Sequence, residues 1–491
     1  MSDRTSVALS LSDQLWRRKP IAAQKGGPEL QRSFGTFQLM LFGVGATVGT
    51  GIFFVLQEAV PDAGPAVIVA FLVAGVAAGL SAICYAEVAS AIPVSGSTYS
   101  YAYHSLGEFM AMVVAACVLL EYGVSSAAVA VGWSGYLNEL LESLIGWHLP
   151  DALSYSPIPY EDNTTGIVNL PAVALVMMCM VLLIRGASES ARVNTIMVMI
   201  KLGVLLMFVV IGFTAFKSDH FSGFWDSGAS GISAAAATIF FSFIGLDAVS
   251  TAGEEVRDPQ RALPRAIMGA LFVVISIYVL VALAGVGAQP AEKFSDPEQQ
   301  DAGLSKILFD ITGNHVSGTI LAAGAVISIF SVTLVTVYGQ TRILFAMGRD
   351  GMLPKRFSAV NPRTLTPTFN TVVVAIVVSL IAGFVPADYL WDTVSIGTLI
   401  AFIVVATAVL VLRRTQPDLE RPFRVPGYPV LPLLTIAVCV YVLSGLAAVT
   451  WIIFACWLAV VLAFYLLWGR HHAALNRGEV ADTEVPEGDR S

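Results

Sequence analysis

The sequence contains twelve apolar segments, and each is about as long as a bilayer-spanning helix, which needs about 20 mostly apolar residues. Only 13% of its 491 residues are charged, whereas soluble proteins carry about 25%. The sequence therefore predicts an all-α polytopic membrane protein with twelve transmembrane helices. Because the last two segments are nearly continuous, hydropathy alone also permits eleven or thirteen spans. The segments lie at residues 35–57, 66–92, 108–141, 167–186, 191–216, 230–253, 264–288, 316–347, 370–385, 390–412, 430–449 and 451–468.

Basic residues are distributed unevenly between the two sides of such a bundle. Of the 27 Lys and Arg residues, all but Lys201, Lys217, Lys293 and Lys306 precede the first span, follow the last, or lie in loops that an even span count places on one side. Because basic loops stay in the cytoplasm, both termini are predicted to be cytoplasmic. The membrane is predicted to be the plasma membrane. The polar residues 1–34 contain no cleavable signal peptide, and the polar tail 469–491 is expected to be disordered.

Composition and motifs argue against several other functions. The net charge of −8 argues against a nucleic-acid partner. The sequence contains no GxxxxGK[ST], HExxH or GxSxG motif, so an enzyme, a bound cofactor and a metal site are not expected. The five cysteines lie in apolar runs without CxxC pairing, and neither a disulfide nor a zinc site is predicted; they are Cys84, Cys117, Cys179, Cys439 and Cys456.

The first apolar segment is unusually rich in glycine. It reads GVGATVGTGIF from Gly43 to Phe53, and glycine is unfavourable inside a helix. One interpretation is close helix packing through small residues. The other is an unwound segment at the membrane midplane, whose free amides bind an anionic group. Glycine density alone favours the second interpretation.

The sixth apolar segment has a glycine and an acid at its centre, in FFSFIGLDAVST (240–251). The first and sixth segments occupy corresponding positions if residues 35–217 and 230–412 are two repeats. Residues 430–468 are then two additional helices, and the transporter domain covers residues 35–468. Paired interrupted spans point to a transporter site at the midplane. Half-helix N-termini would face a carboxylate and freed carbonyls an ammonium, so this site suits an α-amino acid.

These stretches resemble a known family. GVGATVGTGIF resembles the first-span signature of the amino acid–polyamine–organocation superfamily. FFSFIGLDAVSTAGEEVRDPQRALPRAI (240–267) resembles the sixth-span signature of its cationic amino acid transporter branch, and YAEVASAIPVSGSTYSYAY (85–103) and YGQTRILFAMGRDGMLP (338–354) agree with that branch. The resemblance covers about residues 34–423 and is to bacterial, twelve-span members. It implies a five-plus-five inverted repeat with broken helices 1 and 6, and alternating access.

The resemblance also implies which residues contact the substrate. The substrate carboxylate would meet Thr50 and the amides near Gly49 and Gly51. Phe241 would close the site from the outside. Side-chain selectivity would come from Glu121, Asp247 and Thr336. The substrate ammonium would meet the carbonyls near Thr47, Phe241 and Ile244.

Lys201 lies within the fifth apolar segment, and two interpretations of it are open. Its long stem could let the ammonium snorkel to the interface, which the residues alone slightly favour. The resemblance favours the other interpretation, in which the ammonium lies inside the bundle where sodium-coupled relatives bind sodium. Lys201 would then couple amino acid uptake to protons by changing its protonation state.

Two carboxylates also fall within spans. An intramembrane carboxylate such as Glu121 should face the bundle interior. It is either a hydrogen-bonded or protonated packing residue, or a pocket acid that favours a basic side chain or modulates Lys201. Asp247 lies beside the sixth-span break and is expected at the substrate site.

Three further acids, Glu87, Glu254 and Glu255, lie near cytoplasmic helix ends. They form either an inner gate network with the arginines of 257–265 or a solvated loop. Arg342 either joins that network or anchors the inner end of the eighth span.

The preferred function is a proton-coupled amino acid importer of the plasma membrane. An amino acid exchanger and a non-transporting amino acid sensor are the alternatives. The partners are then an amino acid, protons and the lipid bilayer. The choice between cationic and small neutral substrates, the oligomeric state and any accessory subunit stay open.

Overall fold

The computed structural model describes residues 11–21, 30, 32–49, 51–158, 166–295, 297–386, 388–444 and 448–476. Within these ranges the chain is helical without a β-strand, and one isolated parallel bridge joins Phe34 to Val256. The α-helices are α1 (Leu11–Trp16), α2 (Thr36–Thr47), α3 (Gly51–Ala63), α4 (Val67–Ala91), α5 (Ser97–Ser105), α6 (Glu108–Ile145), α7 (Asp151–Ser154), α8 (Leu170–Arg185), α9 (Ala187–Thr214), α10 (Gly228–Phe240), α11 (Ala248–Thr251), α12 (Pro259–Ala288), α13 (Pro297–Thr312), α14 (His315–Arg349), α15 (Thr368–Phe384), α16 (Asp388–Thr415), α17 (Val430–Leu443), α18 (Ala448–Phe464) and α19 (Arg470–His472). Short 3₁₀ turns lie at Gly64–Ala66, Ser218–Phe221, Phe241–Phe243, Gly253–Glu255, Ala291–Ser295, Lys355–Ser358 and Ala474–Asn476, and a π-helical turn at Tyr465–Gly469.

Each of the twelve predicted apolar segments overlaps at least one α-helix of this structure. The predicted all-helical class is therefore confirmed for the described residues, and the count of twelve spans stays a prediction. Among the described residues, seven helical stretches are long and apolar enough to cross a membrane: Val55–Ala91, Glu108–Ile145, Glu189–Thr214, Pro259–Ala288, Val316–Arg349, Val394–Thr415 and Ala448–Asn476. Shorter apolar helices are Thr36–Thr47, Leu170–Arg185, Gly228–Phe240, Thr368–Phe384 and Val430–Leu443.

The first apolar segment is interrupted in its glycine-rich run. Helix α2 ends at Thr47 and α3 begins at Gly51. A Cβ on Gly51 would lie 2.7 Å from the Ser242 hydroxyl, and one on Gly49 would lie 3.0 Å from Val332. Glycine at these two positions therefore also allows the break to approach its neighbours closely.

Two other glycines of this run lie inside α2. A Cβ on Gly43 would lie 2.6 Å from Val249, and one on Gly45 would lie 2.9 Å from the Asn194 side chain. Close helix packing therefore explains Gly43 and Gly45, whereas the break lies between Thr47 and Gly51. The two interpretations of the glycine run apply to different parts of it.

The sixth apolar segment is interrupted as well. Helix α10 ends at Phe240, a 3₁₀ turn follows, and α11 begins only at Ala248. Between them Gly245 has a φ of +106°, and a Cβ there would lie 2.8 Å from the Ala46 carbonyl oxygen. Because side chains disfavour this left-handed conformation, glycine permits the turn and lets it contact α2.

A buried tyrosine of α12 joins the two breaks. The Tyr278 hydroxyl lies 3.1 Å from the Thr47 carbonyl oxygen and 2.9 Å from that of Ser242. Both carbonyls lie where a helix is interrupted and lack the usual intrahelical donor. The single hydroxyl proton of Tyr278 is therefore shared between two main-chain acceptors, one from each break.

The described parts of the two terminal segments lie at the same end of the bundle. Arg17 donates a 2.6 Å hydrogen bond to the Asn476 side chain, and the Ala474 amide donates to the Asp350 carbonyl. Lys19 forms a 2.7 Å ion pair with the Asp350 carboxylate. An even number of spans places the two segments in this way.

We expect Gly245→Ala to destabilise the protein, because a left-handed conformation costs a residue with a Cβ about 1–2 kcal/mol and the new methyl meets the Ala46 carbonyl. The melting temperature in detergent should fall by several degrees. Gly203→Ala in α9 is the matched control, since nothing lies within 4 Å of a Cβ there. Equal melting temperatures for both variants and the wild type would contradict this explanation of the turn.

Candidate functional site

A central cavity of about 510 Å³ lies between the two helix breaks and helices α6 and α14. Its lining residues come from five separate stretches of the chain, so only the folded bundle assembles it. They are Ala46, Thr47, Gly49, Gly51, Val55, Glu58, Glu121, Tyr122, Ser125, Val129, Thr238, Ser242, Ile244, Gly245, Asp247, Ala248, Val332, Thr336 and Val394.

Most of the residues predicted at the substrate line this central cavity. Thr50 lies outside the described residues, and so does the side chain of Phe241, so the predicted aromatic closure is not described. The predicted residues that do line it are Thr47, Gly49, Gly51, Glu121, Ile244, Asp247 and Thr336.

The described wall of the central cavity has acidic side chains and no basic one. Glu121 and Asp247 are each 3% exposed. The Tyr122 hydroxyl donates a 2.6 Å hydrogen bond to Asp247 Oδ2. Asp247 Oδ1 and Glu121 Oε2 are buried and have no partner among the described residues. Buried polar atoms are normally hydrogen-bonded, so two buried oxygens that lack a described partner need an explanation. A ligand in the cavity could donate hydrogen bonds to them.

The central cavity opens towards the end of the bundle that is remote from the terminal segments. It continues along α3 beyond the break to Glu58, whose side chain is exposed, and reaches Thr238 on α10 and Val129 on α6. Asp247 and Ala248 lie at its opposite end, where the chain continues towards Glu255.

Lys201 binds the end of α2 and is fully buried. Its ammonium donates to the carbonyl oxygens of Gly45 at 2.9 Å and Val48 at 2.5 Å, and lies 3.4 Å from the Ser331 hydroxyl. The last carbonyls of a helix have no intrahelical partner, and the C-terminal end of a helix attracts positive charge. Lys201 therefore supplies the donors that the break in the first apolar segment leaves missing.

The snorkelling interpretation of Lys201 is wrong, because the ammonium points into the bundle.

The residues around the Lys201 ammonium were not predicted from the sequence. Ser331 donates a 2.8 Å hydrogen bond to Asn194 Oδ1, and Ser328 donates a 3.0 Å hydrogen bond to the Val48 carbonyl. These residues belong to α9 and α14, and the only sequence signal for them was a small polar side chain within an apolar helix.

A family comparison identifies the chain as a transport protein. A model of the family described as amino acid permease matches residues 34–472. The chain belongs to the amino acid permease family. The resemblance to the amino acid–polyamine–organocation superfamily and its cationic amino acid transporter branch is thereby confirmed, and the permease is a multi-pass membrane protein.

Three relatives illustrate the breadth of this similarity. The methylthioribose transporter of Bacillus subtilis is 39% identical over 467 residues, which are 94% of this chain and 99% of the relative. The branched-chain amino acid permease BcaP of the same species is 42% identical over 457 residues, 93% of this chain and 97% of the relative. The vacuolar cationic amino acid transporter 4 of Arabidopsis thaliana is 36% identical over 419 residues, 83% and 68% of the two chains.

Beyond the central cavity, a buried ion pair closes the permease towards its terminal segments. Arg342 and Glu255 are 2.7 Å apart and at most 1% exposed. Tyr338 donates a 2.7 Å hydrogen bond to the same carboxylate and lies under the guanidinium, whose carbon is 3.8 Å from the ring centre. The Phe34 amide donates to the Glu255 carbonyl, so the start of the first apolar segment is attached to this layer.

The other acids at this end are paired rather than solvated. Glu254 pairs with Arg349 at 2.7 Å, and Glu87, which is 2% exposed, pairs with Arg413 at 2.5 Å. The prediction that these acids pair with the arginines of 257–265 is therefore wrong. The alternative prediction of a solvated loop is also wrong for Glu87, which is buried and paired. The observed partners lie on α14 and α16, which only the fold brings close.

His104 is buried beside the N-terminal segment at this end. It belongs to α5, between the second and third apolar segments, and is 1% exposed. Its Nδ1 lies 2.7 Å from the Lys19 carbonyl oxygen, and its Nε2 has no partner among the described residues. Burial, with the nearby Lys19 charge, lowers the pKa of His104 from 6.5 to about 4.

We expect His104 to make the permease less stable in acid. Between pH 6.5 and 4 the unfolded chain binds a proton that the folded His104 does not, so stability falls as the pH falls through this window. The wild-type melting temperature should therefore drop more steeply from pH 7 to pH 5 than that of His104→Gln. Parallel curves would show that His104 is not held neutral by the fold.

Proposed function

We propose that the permease imports amino acids across the plasma membrane by alternating access coupled to protons. The observation that carries this proposal is the central cavity. It lies at the two helix breaks, and two carboxylate oxygens without a partner among the described residues belong to its lining. The end of α2 at this cavity is bound by Lys201. The proposed architecture has twelve spans, with repeats over 35–217 and 230–412, additional helices over 430–468, and cytoplasmic residues 1–34 and 469–491.

The breaks provide groups of both signs for an α-amino acid. The start of α3 at Gly51 would direct free amides and the positive helix end towards a substrate carboxylate, and Gly49 and Thr50 are proposed to bind the same group. Carbonyls near Thr47, Phe241 and Ile244 would accept hydrogen bonds from the ammonium. Tyr278 already lies within hydrogen-bond distance of the Thr47 carbonyl, which retains one lone pair for a substrate.

Side-chain selectivity is proposed to come from Glu121, Asp247 and Thr336. Each of the two acids lines the cavity and has one oxygen without a partner among the described residues, which favours a donor-bearing or cationic side chain. Thr336 lines the cavity with a hydroxyl that accepts a 2.8 Å hydrogen bond from Ser126. Because relatives carry names as different as methylthioribose and branched-chain amino acids, the ligand screen should include methylthioribose beside the twenty amino acids.

Proton coupling is proposed to act through Lys201. The charged ammonium holds two carbonyls at the end of α2, and charge-assisted hydrogen bonds are roughly twice as strong as neutral ones. Loss of the proton would weaken this attachment and release α2 from α9. Movement of α2 with the inner ion-pair layer would then open the cavity towards the cytoplasm.

An exchanger and a sensor remain the alternatives, and each has a distinct signature. An exchanger would take up labelled amino acid only when the liposomes contain unlabelled amino acid. A sensor would show a ligand-induced rise in melting temperature without flux under any condition. A proton-coupled importer gives uptake into empty liposomes that increases with an inward proton gradient.

We expect Lys201→Met to abolish gradient-driven uptake in proteoliposomes. Hydrogen bonds to a charged group contribute about 1.5–3 kcal/mol each, so the uptake rate of the variant should be at least tenfold lower than that of the wild type. The remaining uptake should not depend on the proton gradient. Lys217→Met is the control, because Lys217 is exposed after α9. Wild-type uptake that is equal with and without the gradient, or that requires sodium, would overturn proton coupling.

We expect Glu121→Gln to change substrate selectivity. Removing the negative charge should weaken competition by cationic amino acids by about tenfold or more, and competition by small neutral amino acids should change little. The measurement is inhibition of labelled uptake by each amino acid. Glu142→Gln, an exposed change on the same helix, should leave the profile unchanged, and an unchanged profile for Glu121→Gln would assign that residue to packing alone.

A further inference from the structure

A second concave site lies on the outside of the bundle, away from the central cavity. This lateral groove has a volume of about 430 Å³ and lies where α8, α9 and α14 meet. Its lining consists of Met177, Met178, Val181, Leu182, Arg185, Val193 and Phe330. The described lining is therefore apolar apart from one basic residue.

The groove follows a single face of α8. Its α8 residues recur with helical spacing from Met177 to Arg185, so they form a stripe about 12 Å long at a rise of 1.5 Å per residue. Met178 and Val181 are 44% and 49% exposed. In a membrane protein, an exposed apolar stripe of this kind is covered by acyl chains.

Arg185 lies at one end of this stripe, at the last residue of α8. It is exposed, and none of the ion pairs formed by the described residues includes it. The next residue, Gly186, lies beside the Thr364 carbonyl in the loop between α14 and α15. That loop is on the side of the terminal segments, where the basic residues concentrate.

We propose that the lateral groove binds an anionic phospholipid, with one acyl chain along the α8 stripe and the phosphate on Arg185. An arginine fork matches phosphate oxygens, and basic pockets between membrane helices on the cytoplasmic side suit anionic headgroups. No acid is among the described residues that line the groove, so Arg185 is the one charged group of that lining.

The groove shares its inner wall with the Lys201 site. Val193 and Phe330 line the groove, and their sequence neighbours Asn194 and Ser331 form the hydrogen bond that supports Lys201. A bound acyl chain therefore packs on the outer side of the same contact between α9 and α14. Lipid binding itself does not depend on the proposed transport function, so the two can fail independently.

The test titrates the purified full-length protein with phosphatidylglycerol or with phosphatidylethanolamine of the same acyl chains, and counts bound lipid by native mass spectrometry. The wild type should prefer phosphatidylglycerol. Arg185→Gln should weaken phosphatidylglycerol binding by about fivefold, the effect of one basic residue at an anionic surface. Arg192→Gln, an exposed basic change outside the groove, should not.

A second pair of variants tests the acyl-chain part of the site. Val181→Trp fills the groove and should reduce binding of phosphatidylglycerol, whereas Ile196→Trp, at a 54% exposed position outside the groove, should leave it unchanged. Equal binding of both lipids by the wild type, wild-type affinity in Arg185→Gln, or no effect of Val181→Trp would each overturn the proposal.

Discussion

The contact on which the transport site depends is the one between the Lys201 ammonium and the carbonyls of Gly45 and Val48. A helix that stops inside an apolar bundle leaves main-chain groups without intrahelical partners, and an unsatisfied main-chain group is costly there. Lys201 satisfies two of these groups from α9 and brings a charge to the negative end of α2. The break in the first span and the buried lysine therefore stabilise each other, and neither is well accommodated alone.

The two ends of the central cavity differ in what closes them. Towards the terminal segments, Glu255, Arg342 and Tyr338 form a buried layer, and Glu254 with Arg349 extends it. Towards the opposite end, the cavity continues to the exposed Glu58. Among the described residues, the cavity therefore has a paired-charge layer at one end and an exposed lining residue at the other. This asymmetry is what an alternating-access cycle requires of one of its states.

The sequence predicted the parts of the site that depend on local chemistry. Glycines at 49 and 51 and at 245 marked the interruptions, because glycine destabilises a helix and tolerates close approach and left-handed turns. Glu121, Lys201 and Asp247 stood out because ionisable groups inside spans are costly unless they face the interior. The arginines of 257–265 were wrongly predicted as the partners of Glu87 and Glu254, since partners distant in sequence cannot be chosen by proximity along the chain, whereas Arg342, the candidate from the eighth span, does pair with Glu255.

By itself, the sequence determined that the chain is a helical membrane protein, where its apolar helices lie and which of them are interrupted, since apolar length, glycine content and charge distribution act locally along the chain. The tertiary structure decided that Lys201 turns inward to α2 and that Tyr278 joins the two breaks. It also decided that Asp247 accepts a hydrogen bond from Tyr122 and has one oxygen without a partner among the described residues. It also formed the lateral groove beside Arg185. The reason is physical: a hydrogen bond or a cavity needs atoms from several helices at distances that only their packing sets.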